Sequence, residues 1–194
     1  MKKAIWCFIV LAVTAVSFSF AACAKKEEKK PDPALESEKA APPAAAQKKT
    51  QPLFIIERSK NANVVHYDAQ LTAGGEIDPN KPVIAYWIML ATDGHREELN
   101  WIEKKKAYGF SVKPDTSVNG YKMTMVSVPN HQITIRKVGD AVRAELLIDG
   151  RPSIFEKMYI NASDRLIGPK VHYIELYGKD LKTGEKRHEK IEIK

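Results

Sequence analysis

The sequence predicts a mostly β fold, an antiparallel β-sandwich or flattened barrel of about nine strands with one short helix, occupying residues 52–194. Three observations predict it. Apolar residues recur at every second position in short segments, turn dipeptides separate those segments, and a single stretch carries helical punctuation. Lengths and spacing leave closure of a barrel open.

In "VVHYDAQL", Val65, Tyr67, Ala69 and Leu71 alternate with Val64, His66, Asp68 and Gln70, which predicts a strand with one buried and one wetter face. "PVIAYWIML" is apolar throughout and predicts a central strand covered on both sides. The helix is expected in "REELNWIEKKKAYG". Glu97 and Glu98 suit its first turn, Lys104 to Lys106 its last, and Gly109 its C-terminal cap. Leu99 and Ile102, with Trp101 and Tyr108 as further candidates, would face the core. After it come "YKMTMVSV", "HQITIRKV", "AVRAELLID", "PSIFEKMYI", "VHYIELYG" and "HEKIEIK", punctuated by Pro129-Asn130, Gly139-Asp140, Asp149-Gly150 and Thr183-Gly184. Such short connections favour antiparallel neighbours, so residues 121–160 read as a meander. Lys and Glu at alternate positions of "HEKIEIK" predict an exposed edge strand guarded by charge, and the same edge could accept a partner strand.

The residues ahead of this domain speak of address. Met1-Lys2-Lys3 is a short basic start, and Ala4 to Ala22 is an uncharged, largely apolar run ending at Cys23. These are the n-region and h-region of a secretory signal. Small residues before a cysteine suit a signal peptidase, and the thiol can carry diacylglycerol. The segment resembles a bacterial lipoprotein signal peptide (residues 1–22) with the lipobox Phe20-Ala21-Ala22-Cys23, Phe20 standing where that family usually has Leu. The resemblance implies lipidation at Cys23, attachment to a membrane through the N-terminal lipid, and, from Ala24 after the cysteine, sorting to the outer membrane of an enteric-type envelope. An uncleaved anchor, since about 20 apolar residues span a bilayer, and ordinary secretion with cleavage near Ala22 or Ala24 are the alternatives. All three place the folded part outside the cytoplasm.

Residues 23–51 contain no aromatic residue and a single large aliphatic, Leu35, while Pro31, Pro33, Pro42 and Pro43 interrupt any helix. Such a stretch buries too little apolar surface to offset its ordering entropy, so a disordered tether is expected. A coil of this length spans on the order of 30 Å and reaches about 100 Å when extended. With Cys7 in the signal and Cys23 lipidated, no thiol remains for a disulfide, a metal or a nucleophile.

Charge excludes one class of partner. Nine cationic and five anionic residues precede Leu53, against 22 and 19 from there on, so more than half of the +7 net charge lies in the signal and tether. A nucleic-acid surface needs its positive residues gathered on a folded face, and none is expected here.

The segments "PLFIIERSKNANVVHYDAQ", "DPNKPVIAYWIM", "DGHREELNWIEKKKAYGF" and "HQITIRKVGDAVRAELLIDGRPS" resemble a bacterial family catalogued as Domain of Unknown Function 4833, over about Pro52 to about Tyr177. That resemblance implies a single envelope domain and carries no catalytic residues with it.

The site must therefore be argued from chemistry. "ERSKNANVV" is the densest polar segment between two strands. Its Arg58, Ser59, Lys60, Asn61 and Asn63 could offer a fork-shaped cation, an ammonium and two amides to an anionic ligand. A hairpin turn would use the same Ser and Asn residues without any ligand, and that reading is favoured. The five histidines lack the spacing of a zinc pair, so neither a metal nor a cofactor is expected. No "GxSxG" elbow marks an activated serine. If the sheet closes, some of the aromatics could line a cavity for a small apolar ligand, although such residues more often fill a core. The functional expectation is a non-enzymatic, lipid-anchored envelope protein that binds another envelope component through a strand edge or an exposed loop. The alternatives are a carrier of a small hydrophobic ligand or lipid, and a hydrolase assembled around Arg58, Lys60 and a histidine.

Overall fold

The computed structural model describes residues 49–163 and 170–193. The signal segment, Cys23 and the tether up to residue 48 lie outside the described residues. Residues Ala45–Lys194 form one compact unit.

Eleven strands make one sheet among the described residues. They are β1 (Thr50–Arg58), β2 (Asn61–Gln70), β3 (Val83–Ile88), β4 (Arg96–Glu98), β5 (Phe110–Asp115), β6 (Gly120–Met125), β7 (Gln132–Val138), β8 (Ala141–Ile148), β9 (Arg151–Ser163), β10 (Lys170–Asp180) and β11 (Lys186–Glu192). Nine of them follow the path β4-β3-β2-β1-β9-β8-β7-β6-β5, while β10 pairs with the other edge of β9 and carries β11. The strand β1 starts at Thr50, two residues ahead of the expected domain boundary.

Strand β9 is where the sheet divides. Its first residues pair with β8, Ile148 opposite Arg151 and Glu145 opposite Ile154. Farther along, Lys157 to Ile160 pair in parallel with Ile55 to Arg58 of β1. Register shifts in the β9–β10 ladder, between Tyr177 and Gly178 and between Val171 and Tyr173, mark bulges that bend the strand. The two arms curl toward each other as a half-barrel. The predicted mostly β architecture is present, with one difference: β1–β9 makes the sheet mixed rather than wholly antiparallel. The meander over 121–160 is present as β6-β7-β8-β9.

Inside the curl, Phe54 stacks on Tyr67 at 4.5 Å and meets Phe155 at 4.6 Å. Tyr67, Phe155, Met123, Met158 and Ile135 are fully buried. Each such side chain contributes about 1.5–3 kcal/mol by leaving water. Val65, Tyr67 and Ala69 of β2, with Leu71 just after it, are buried as the alternation predicts, but Val64 and Asp68 on the face expected to be wetter are buried too. Tyr67 also donates its hydroxyl hydrogen to the Tyr108 carbonyl at 2.7 Å, which satisfies its polar tip inside the core. The hairpin between β8 and β9 turns on Asp149 and Gly150, with φ of 50° and 70°, the left-handed pair that a two-residue turn needs.

Two sequence expectations fail here. Strand β3 is not covered on both sides, since only Val83 and Trp87 are buried and its outer neighbour β4 is three residues long. The helix is also far shorter than expected. Glu97 and Glu98 belong to β4, the helix α1 spans Trp101–Glu103, and a π-helical turn runs from Lys104 to Tyr108. Leu99 and Tyr108 are buried as predicted, whereas Trp101 and Ile102 face solvent. The physical reason is the capping box at Asn100. Its side chain accepts from the Glu103 backbone N–H at 3.0 Å, and Glu103 accepts from the Asn100 N–H at 2.9 Å, so the helix starts after Asn100.

Candidate functional site

The polar segment singled out in the sequence is the turn between β1 and β2. Arg58, Ser59, Lys60, Asn61 and Asn63 do come together, and the structure gives most of their polar atoms protein partners. Asn61 Oδ1 accepts from Arg58 Nε at 3.2 Å and from the Asn63 N–H at 3.1 Å. Asn63 is buried, and its Oδ1 accepts from the Ala91 N–H at 2.8 Å, tying the turn to the β3–β4 loop. Ser59 continues the parallel ladder beyond the end of β1. Its N–H donates to the Ile160 carbonyl at 3.0 Å, its hydroxyl donates to the Ala162 carbonyl at 2.9 Å, and the Ala162 N–H returns to Ser59 Oγ at 3.0 Å. The Arg58 guanidinium lies 4.6 Å over the Trp87 ring. It also faces the Tyr108 phenol, whose pKa burial raises and Arg58 pulls back down. Lys60 is exposed at the tip.

Two groups of aromatic residues bear on a ligand site. Phe54, Tyr67, Trp87, Tyr108, Phe110 and Phe155 lie on the inner side, in ring contact with one another, and fill the space a ligand would need. Tyr86, Tyr173 and Tyr177 stand on the outer face, each flanked by charged neighbours. Tyr177 lies between Lys157, at 4.9 Å, and His188, at 4.7 Å, and donates to Glu175 at 2.8 Å. Tyr86 is covered by Arg96 at 3.7 Å and stacked with His66 at 5.7 Å, and it donates to Asp68 at 2.7 Å. Donation to a carboxylate disfavours the phenolate. The Tyr177 pKa is raised to about 12 by Glu175 first, and the Tyr86 pKa to about 12 by burial and then Asp68. These rings serve cross-strand packing, and their faces are already occupied.

Strand β11 differs. It pairs with β10 from Glu192 opposite Tyr173 to Lys186 opposite Lys179, without a register shift. The Asp180 N–H donates to the Glu185 carbonyl and the Ile193 N–H to the His172 carbonyl, so odd-numbered residues point their backbone groups at β10. The N–H and C=O groups of Lys186, His188, Lys190 and Glu192 therefore point away from the sheet. No other strand pairs there among the described residues. The two ends of the nine-strand path offer less, because β4 has three residues and β5 carries Pro114, which lacks a donor. Lys190 leans 4.1 Å over the Tyr173 ring and 2.7 Å from Glu192, which keeps its charge on the outer face and off the backbone edge.

Beside β11 lies an open cleft of about 590 Å³, with His131, Thr134, Glu145, Leu147, Leu181 and Glu189 on its walls. Glu145 is gripped by Arg136, whose Nε donates to both carboxylate oxygens at 3.0 Å, and by Arg143 at 3.3 Å. Glu189 accepts from the Asp149 N–H at 2.7 Å. Both carboxylates are thus engaged by protein groups. A Ser163–His172 pair at 2.8 Å is the nearest approach to a nucleophile with a base, and it is exposed, with no carboxylate on the second ring nitrogen among the described residues. Both are cross-strand constellations invisible to spacing within one segment. No group of three or more His, Cys, Asp or Glu is placed to hold a metal among the described residues.

A family model described as Domain of unknown function (DUF4833) matches residues 54–190, from Phe54 in β1 to Lys190 within β11. The chain belongs to that family. The DUF4833 match thus spans the turn, the cleft and the free edge together, and covers most of the chain. No curated protein and no solved structure matches this chain.

Proposed function

We propose that this chain is a lipid-anchored cell-envelope protein whose DUF4833 domain is a non-enzymatic binding module, engaging another envelope component by strand addition at β11. The observation that carries the reading is the seven-residue, regular free edge from Lys186 to Glu192, with four residues' backbone donors and acceptors turned outward. An incoming strand would satisfy those groups and gain affinity from them, while the side chains of His188 and Lys190 would discriminate among partners. The lipobox ending at Cys23 supports the address, and the tether supports the reach. A carrier is disfavoured because the inner aromatics pack on each other, and catalysis because both cleft carboxylates are engaged by protein groups.

Replacing Lys190 by Pro tests the reading. Position 190 points its N–H outward, so the ladder to β10 keeps its bonds while the free edge loses a donor and gains a ring. Lys190→Pro is expected to abolish copurification of the partner from envelope extracts with the fold intact by circular dichroism. A partner retained at wild-type level by the folded variant would refute strand addition at this edge.

A further inference from the structure

The helix α1 follows β4 and leads through the π-helical turn to β5, so it connects the two ends of the nine-strand path. The capping box and a bond from Trp87 Nε1 to Glu103 Oε2 at 3.1 Å hold α1 in place and turn its carboxylate toward the protein. Its other two residues face out. Trp101 is 72% exposed and Ile102 52% exposed. Lys104, Lys105 and Lys106 follow directly, all exposed, and none takes an ion pair among the described residues. The neighbouring carboxylates do not neutralise them, since Glu97 faces His95 at 4.0 Å and Glu98 faces Arg96 at 3.1 Å.

An exposed tryptophan and isoleucine, beside three ammonium groups without an ion pair among the described residues, match one kind of surface. Tryptophan concentrates at the headgroup level of a bilayer, and lysines are drawn to anionic headgroups. We propose that Trp101–Lys106 docks the domain on an anionic phospholipid surface, with Trp101 and Ile102 entering the interfacial layer and the three lysines contacting headgroup phosphates. The inference rests on the lipid-anchored reading for the nearness of a membrane, but the surface binds without the anchor. Docking there gives the domain an orientation. Six strand-to-strand steps, roughly 29 Å measured along the curled sheet, separate β4 from β11, so the docking turn and the free edge are distinct surfaces.

The compact unit Ala45–Lys194 isolates the test, because it lacks Cys23 and most of the lysine-rich tether. Its only tryptophans are Trp87, which is 4% exposed, and Trp101, so fluorescence changes report on the docking turn. The unit, its fold verified by circular dichroism and a thermal melt, is mixed with phosphatidylglycerol–phosphatidylcholine vesicles bearing brominated acyl chains, and with phosphatidylcholine vesicles alone. Emission is expected to shift to the blue and be quenched only by the anionic vesicles. The combined Lys104→Ala, Lys105→Ala and Lys106→Ala variant should partition roughly a hundredfold more weakly, at about fivefold per lysine. Trp101→Phe should remove the quenching with the melting temperature unchanged. Unquenched Trp101 on anionic vesicles overturns the proposal, as does partitioning that the triple variant retains. A photoreactive residue at position 101 that captures protein instead of lipid in the intact envelope overturns it too. A failure of lipidation at Cys23 would leave the vesicle result untouched and count only against the anchor.

Discussion

The β1–β2 turn and the β11 edge carry similar charge and polarity in the sequence, and the fold treats them in opposite ways. At the turn, Asn61, Asn63 and Ser59 direct their side-chain oxygens at backbone N–H groups, and Arg58 lies on Trp87. At β11 the side chains pack sideways on the outer face, over Tyr173 and Tyr177, while the backbone edge remains open. Polar side chains in a turn complete the fold. Polar side chains on an edge strand can leave its most reactive feature, the row of backbone donors and acceptors, exposed.

Proline placement breaks or sharpens this contrast most strongly. Glu189 directs its N–H at β10, whereas Lys190 directs its own outward. Glu189→Pro should cost about 3 kcal/mol of stability, and Lys190→Pro under about 1 kcal/mol, when both are unfolded in denaturant. Equal losses would show that the outward face of β11 is not free. At the turn the expected effects are smaller and purely structural. Asn63→Ala leaves the Ala91 N–H without its partner and should lower stability by about 1–2 kcal/mol while partner capture is unchanged. Ser59→Ala removes two bonds to Ala162 near the surface and should cost about 0.5–1 kcal/mol. Loss of partner capture in either variant, with the fold retained, would move the binding site from the edge to the turn.

The outer-face tyrosines give the mildest test. Tyr177 and Tyr86 have folded pKa values raised to about 12, above the value of about 10 expected in the unfolded chain. The preference for the neutral phenols, set by the Glu175 bond at Tyr177 and by burial and then the Asp68 bond at Tyr86, is therefore fully satisfied below about pH 10 and is lost as pH rises toward 12. Stability should decline across that window, less steeply in Tyr177→Phe, and spectrophotometric titration should find these two phenols among the last to ionise.

Much of the fold was legible because a half-buried strand writes its own alternation. Residues Val65, Tyr67, Ala69 and Leu71, the meander, and the Asp149-Gly150 turn all carry local signatures. The parallel pairing of β1 with β9 joins residues about a hundred positions apart and leaves no local mark, so the mixed sheet could not be read. The helix was misplaced for a different reason. Glu97 and Glu98 look like a helix start, but Asn100 and Glu103 form the true cap, and the Asn-x-x-Glu spacing was available as a signal. Reading it would have placed Trp101 and Ile102 in the first turn, ahead of any stripe long enough to bury them. The candidate site was legible only as a list of polar positions. Whether an asparagine oxygen faces a ligand or the Ala91 N–H depends on a loop 28 residues away in the chain.

The most direct test places a photoreactive amino acid at His188 on the free edge and, separately, at Lys60 on the turn, in the full-length protein within its own envelope. The account predicts a discrete protein adduct from position 188, lost in the Lys190→Pro background, and none from position 60. An adduct from position 60 with none from position 188 would contradict it.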